Sequence, residues 1–323
     1  MKAAAGGQDY SAVDFFYKYG LYMVFVALIA VFTALNATFI SAANIVNLLQ
    51  QSSSASIAAT GMVCVMLTGG IDLTIGSIIY LSAAVVVMMT NAGLGILPAL
   101  VVSIGIGAAV GVINGVMIAR FKLVPIIVTL AMMFIVRGLT MALTEIKMQY
   151  FMNPVGDFIA RYRVFGILPV IVIAMAVVVI AGQLTLKYTA FGRHLYAIGN
   201  NPVAARKSGI ALDLKTFITY VISGSLAGLA GLIGGAQVGG VTTTYGSGQE
   251  FLVISACVLG GVSLFGGKGK VLPGAFIGVL IVMSIENGLV MVNANVYLYT
   301  VVRGIIIFLA VMVDCMRNKS DLR

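Results

Sequence analysis

Long apolar runs separated by short polar interruptions fill most of this chain. A run of about 20 predominantly apolar residues has the length of a membrane-spanning helix. Such runs lie near 20–36, 45–67, 73–91, 95–119, 123–143, 166–186, 216–236, 250–265, 271–291 and 296–314. The pattern predicts an all-α, polytopic membrane helix bundle of about ten spans, with residues 1–323 forming one domain. Pro98, Pro125, Pro169 and Pro273 each fall in the first turn of a proposed span, where a missing N–H costs little. The first run follows Asp9 and Asp14 and lacks a small-residue cleavage pattern, so it reads as a retained anchor.

Two runs are interrupted. Residues 64–76 read CVMLTGGIDLTIG, and residues 257–267 read CVLGGVSLFGG. Each breaks at a glycine pair, Gly69–Gly70 and Gly260–Gly261, and then restarts. Irregular backbone is tolerated at membrane depth only against protein or a water-filled cavity. Gly-interrupted segments at matching places in two halves point to a transport path and to a possible inverted repeat. Elsewhere Gly107, Gly111 and Gly115, Gly224 and Gly228, and Gly274 and Gly278 recur at helical spacing. Those faces predict close helix packing.

Composition narrows the class. Of 323 residues, 61% are apolar and 9% charged, which excludes both an ordinary soluble domain and a disordered chain. The net charge of +9 is distributed unevenly. With the N-terminus in the cytoplasm, the inside segments hold Lys2, Lys18, Arg120, Lys122, Lys187, Arg193, Arg206, Lys207, Lys215, Lys268, Lys270, Arg317, Lys319 and Arg323. The outside loops hold only Lys147, Arg161 and Arg163. This asymmetry predicts that both termini are cytoplasmic. The basic excess is therefore a topology signal, and no nucleic-acid partner is expected. Loops 144–165 (outside) and 187–215 (inside) are too short for a soluble catalytic domain. Cys64, Cys257 and Cys315 lie far apart in apolar stretches and read as small buried hydrophobes, and His194 stands alone. No catalytic residue and no metal site is predicted.

Few ionisable groups fall within the runs: Asp72, Arg137, Glu286 and Arg303, with Glu250 at a boundary. Each is costly in hydrocarbon and should face the bundle interior, a cavity or a partner. Arg137 needs an acceptor, and Asp72 and Glu286 are the available carboxylates. Together with Gln50, Gln51, Asn114, Thr129 and Asn287, and the glycines Gly69, Gly70, Gly260 and Gly261, they form a candidate translocation path. The alternative reading is an internal ion pair that fixes helix packing.

Loop 187–215 carries its own punctuation. Asn201 suits a helix N-cap, Pro202 the first helical position and Gly209 the position past the end. This predicts a short basic helix over 202–208 outside the membrane, with Ala204 and Ala205 small enough for a partner surface to approach.

GGIDLTIGS, FGRHLYAIGNNPVAARKSGI and ACVLGGVSLFGGKGKVLPGAFIGVL resemble segments of the permease subunits of bacterial ribose-type monosaccharide ABC importers. The resemblance runs from NIVNLLQQSS near residue 44 to the C-terminus. It implies a multi-pass protein of the bacterial inner membrane that pairs with a second copy of itself or a close homologue. It also implies a cytoplasmic ATPase with two nucleotide-binding domains and an extracytoplasmic sugar-binding protein. ATP and Mg would be bound by that ATPase, and no cofactor is implied for this chain, which lacks a GxxxxGK[ST] loop. The short helix then resembles a coupling helix, matched by Asn200, Asn201, Pro202, Ala204, Ala205, Arg206, Ser208 and Gly209. Relatives often carry Asn where Glu286 stands. Other cargoes of the same importer class (branched-chain amino acids, nucleosides, a sugar-like signal) and an ion-coupled secondary transporter are the competing readings. An intramembrane enzyme would need a nucleophile or metal constellation, and none is visible.

Overall fold

The computed structural model describes residues 12–295 and scattered positions from there to 315. The expected span near 296–314, with Arg303, and both chain ends lie largely outside the described residues. In chain order the elements are α1 (Ala12–Leu35), α2 (Ala42–Leu67), α3 (Ile75–Asn91), α4 (Ile96–Gly115), α5 (Pro125–Leu143), β1 (Gln149–Tyr150), α6 (Pro154–Arg161), β2 (Arg163–Val164), β3 (Leu168–Pro169), α7 (Val170–Tyr188), α8 (Ala190–Asn200), α9 (Pro202–Lys207), α10 (Leu212–Val238), β4 (Gly240–Val241), α11 (Gln249–Leu259) and α12 (Phe276–Met291). A π-helical turn extends α4 to Arg120, and another precedes α12. The only strands among the described residues are two-residue pairs: β1 against β4 with Gln149 opposite Val241, and β2 against β3 with Arg163 opposite Pro169.

Five helical stretches among the described residues are long and apolar enough to cross a membrane: Ile96–Arg120, Pro125–Leu143, Val170–Tyr188, Leu212–Val238 and Val271–Met291. Polarity is arranged inside out. Leu97, Val101, Ile127, Phe134 and Val177 point outward, whereas Ser52, Ser53, Ser82, Ser103 and Ser223 are buried. That is the arrangement a lipid environment demands. The run near 250–265 is not a continuous helix. α11 ends at Leu259, its 11 residues rising only about 16 Å, and an irregular glycine-rich stretch follows.

α10 occupies the centre and packs along α2, α3 and α4, most extensively on α4. The glycine stripes explain how. Gly107 and Gly111 of α4 meet Gly224 and the backbone at Tyr220 of α10, while Gly228 faces Ser103 O. A Cβ on Gly107 would run into Gly224 O, and one on Gly224 into Gly107 O. The two stripes are thus halves of one antiparallel seam within the chain. Gly274 and Gly278 similarly face Gly260 and Ala256, seating α12 on α11. In lipid, where apolar burial drives no association between helices, such close backbone approach supplies the packing energy.

Overpacking this seam should be far more damaging than adding bulk elsewhere. Gly224→Leu is expected to cost more than the usual 1–3 kcal/mol of a strained core insertion, because the obstructing atoms are backbone. Gly105→Leu, where a Cβ meets nothing, should be nearly neutral. Monodisperse yield and thermal unfolding of the two detergent-purified variants check this.

Candidate functional site

Three sequence-distant segments meet at one end of the bundle. α2 ends at Leu67, and a left-handed turn at Gly69 leads into the extended stretch before α3. Ending a helix leaves carbonyls without intrahelical donors. Leu67 O is taken up by Gly267 N at 3.0 Å, from the irregular stretch after α11. The third segment is α8. Its Gly199 sits at this junction, where a Cβ would run into Leu67 O and Gly267 N. Asn200 Nδ2 donates to Gly267 O (3.3 Å) and to Tyr196 O (2.9 Å), and Tyr196 Oη donates to Gly269 O (2.7 Å). Burial pushes the Tyr196 hydroxyl above its ordinary range, so it stays protonated and a donor at neutral pH.

α8 was not foreseen. The loop expected over 187–215 is mostly helical, with α7 running to Tyr188 and α10 starting at Leu212. Signals for α8 are present: Thr189 caps it through Gly192 N (3.2 Å), and Phe191, Leu195 and Ile198 recur at helical spacing. α9 follows the expected punctuation closely. Asn201 Oδ1 accepts from Ala204 N at 2.9 Å, Pro202 opens the helix, and Ser208 Oγ donates to Ala204 O at 3.0 Å. Gly209 is left-handed, with φ +80°. One expectation is corrected. Ala205 faces into the chain with 4% exposure and is not available to a partner, whereas Val203 is 65% exposed. Pro202, Val203, Arg206, Lys207 and Leu212, three apolar and two basic residues, line a shallow outward depression.

Asp72 lies just beyond the junction and is fully buried. Its Oδ1 accepts from Thr74 N (3.0 Å) and Thr74 Oγ1, and its Oδ2 accepts from Ser223 Oγ on α10 (2.7 Å). Asn114 Nδ2 on α4 donates to Thr74 Oγ1 (3.1 Å). Thr129 Oγ1 reaches Pro125 O and Ile71 O, and Gly70 packs against the Tyr220 hydroxyl. These predicted residues do converge, as a bonded knot that fastens the break between α2 and α3 to α4, α5 and α10.

The other predicted path residues lie apart from it. The suggested pairing of Arg137 with Asp72 or Glu286 does not occur. Arg137 Nη1 donates to Tyr245 O (3.4 Å), and its guanidinium stands 5.7 Å from the Tyr80 ring centre. For Asp72 the physical reason is placement: it belongs to the junction end, and Arg137 lies about two turns from the opposite end of α5. Asn287 Oδ1 accepts from Asn44 Nδ2 (3.0 Å), tying α12 to α2. Gly260 abuts Gly274, and Gly261 turns the chain out of α11 with φ +82°. Gln51 and Glu286 line a cavity at the end opposite the junction, and Gln50 adjoins it. No cluster of three or more His, Cys, Asp or Glu able to hold a metal exists among the described residues.

Comparison with known proteins bears on this layout. The family described as the branched-chain amino acid transport system permease component matches residues 44–311. A ribose import permease protein of Escherichia coli strain K12 is 38% identical over 296 residues, covering 89% of this chain and 90% of that protein. The ribose import permease protein of Bacillus subtilis strain 168 is 38% identical over 310 residues, covering 94% of each chain. A D-allose transport system permease protein of Escherichia coli strain K12 is 33% identical over 309 residues, again 94% of each. No solved structure matches.

The knot predicts a graded response at position 72. Asp72→Ala strands buried donors and should lower unfolding stability by about 1–3 kcal/mol. Asp72→Asn keeps an acceptor for Thr74 N and turns its amide toward a rotatable Ser223 hydroxyl, so it should lose less. Thermal unfolding of both variants in one detergent gives the comparison.

Proposed function

This chain belongs to the permease-component family of branched-chain amino acid transport systems, and from that premise we propose that it is the membrane subunit of an ATP-driven monosaccharide importer in a bacterial inner membrane. The chain itself is not an enzyme; a separate subunit hydrolyses ATP. The observation that carries this reading is the junction of α8 with both broken segments. A permease driven by a separate ATPase needs a rigid element that projects from the membrane and is anchored to the helices that must move. α8 and α9 supply it: α9 offers Val203, Arg206 and Lys207 outward, while α8 is fixed to Leu67 and Gly267. Arg206 and Lys207 suit an acidic groove on the partner.

The finer assignments belong to the same reading. About ten spans, cytoplasmic termini, an inverted repeat about the two broken segments and a paired second copy or homologue all fit it. The orientation is favoured by agreement between charge and contact. Positive residues cluster in the segments that meet at the junction (Arg193, Arg206, Lys207, Lys268 and Lys270). The cargo follows the relatives named for ribose and allose. An ion-coupled transporter is disfavoured by Asp72, whose two oxygens are both engaged by Thr74 and Ser223 in a fully buried knot.

Reconstituting the chain with its ATPase and binding protein in proteoliposomes tests the function. Uptake of labelled D-ribose or D-allose should require both ATP and the binding protein; uptake driven by an ion gradient alone would defeat the reading. Val203→Glu should insert normally yet cut ATPase co-purification and binding-protein-stimulated hydrolysis at least ten-fold, whereas Lys215→Gln, at a half-buried position off α9, should stay within two-fold. For topology, single cysteines replacing Lys207 and Asp157, in a background without Cys64, Cys257 and Cys315, should react with impermeant thiol reagents from opposite sides of the membrane.

A further inference from the structure

At the end of the bundle opposite α8 and α9, a cavity of about 190 Å³ opens between α2, α3, α10, α11 and α12. Six of its eleven lining residues carry an amide, hydroxyl or carboxyl side chain: Gln51, Ser54, Gln237, Tyr245, Gln249 and Glu286. In a chain that is 61% apolar, so dense a polar lining marks a built feature. Resting on the importer reading above, we propose that this cavity is a seat for one neutral polyhydroxylated molecule within a single chain, occupied before passage toward the junction.

Three observations support it. First, the polar groups fall into two kinds. Gln237 is structural: with its amide oriented to satisfy both neighbours, it donates to Gln50 O (3.1 Å) and accepts from Gln51 N (3.2 Å), clipping the end of α10 to α2. The side chains of Gln51 and Gln249 and the hydroxyl of Tyr245 make no hydrogen bond to protein among the described residues. They converge on the cavity with their capacity unspent. Second, that capacity has a definite chemistry. An amide offers donors and an acceptor, and a phenol offers both, matching sugar hydroxyls, which also do both. Among the described residues no Lys or Arg lines the space, so the lining offers phosphates and carboxylates no positive counter-charge. Third, Gly234 keeps the wall open. A Cβ there would lie 2.5 Å from Tyr245 Oη and 3.1 Å from Ser54 Oγ, blocking two of the lining hydroxyls.

The test uses the complete importer in proteoliposomes, with binding protein saturated by D-ribose or by monodeoxy-D-ribose analogues. Gln51→Leu and Gln249→Leu preserve bulk but remove hydrogen bonding; Gly234→Ala fills the wall. Each should lower ATP-driven D-ribose uptake three- to ten-fold or more, with thermal stability and affinity of the binding protein for ribose unchanged. A site built to bond a hydroxyl discriminates against the analogue lacking it. The wild type should therefore prefer D-ribose over at least one monodeoxy analogue, and the matching Gln→Leu variant should lose that preference. Wild-type rates in both glutamine variants, or an unchanged preference ratio in both, would overturn the cavity proposal while leaving the importer intact. A wild-type complex that imports no monosaccharide removes the premise and the proposal together.

Discussion

A helix that stops inside a membrane protein leaves carbonyls that water cannot reach, and each must find a donor in the protein itself. Leu67 O finds Gly267 N, and the architecture at that end of the bundle follows from the bond. It forces the break after α2 and the irregular stretch after α11 to share one location. Both must then be bare enough for backbone to meet backbone, which is why the crossing is made of glycine. α8 can enter the same crossing only because Gly199 has no side chain to obstruct it. A bond between two irregular segments thus becomes the anchorage for a third element that lies outside the bundle.

α10 links the two ends. Its 27 residues rise about 40 Å, enough to run from the water-facing side of α8 to the cavity at the far end. Along that length it contributes Ser223 to the Asp72 knot, Gly224 and Gly228 to the seam, Gly234 to the cavity wall and Gln237 to the clip on α2. A displacement of α10 as a rigid body would reach the knot and the cavity together. The buried polar groups are arranged accordingly. Near the junction both Asp72 oxygens are engaged and hold segments in place, while at the other end Gln51 and Gln249 make no side-chain hydrogen bond among the described residues.

Much of this was legible in the sequence, for identifiable reasons. The length of the apolar runs located α2, α3, α4, α5, α7, α10 and α12 to within a few residues, because lipid imposes length and polarity directly. Cap chemistry located α9, since Asn201, Pro202 and Gly209 act within a few residues of one another. What escaped was non-local. That CVLGGVSLFGG bonds to the end of α2 depends on tertiary crossing, and no spacing encodes it. Arg137 was assigned a carboxylate because charge counting ignores depth; its contacts are a carbonyl and an aromatic ring. Tyr245 and Gln249, which face the cavity, sit in a stretch whose composition gave no signal at all. Ala205 was read as a contact surface from its size, although its place on the short helix turns it inward.

The seam between α4 and α10 also fixes an order of events in biosynthesis. Roughly a hundred residues separate the end of α4 from the start of α10. At bacterial elongation rates of about 5–20 residues per second, α4 waits on the order of 5–20 s before its partner exists. During that interval its glycine face and Ser103 have no backbone to meet. A helix whose packing surface is complete but unoccupied therefore stands ready until the central helix is made. The groove in α4 is in this sense a reservation, made early in the chain for a segment translated much later.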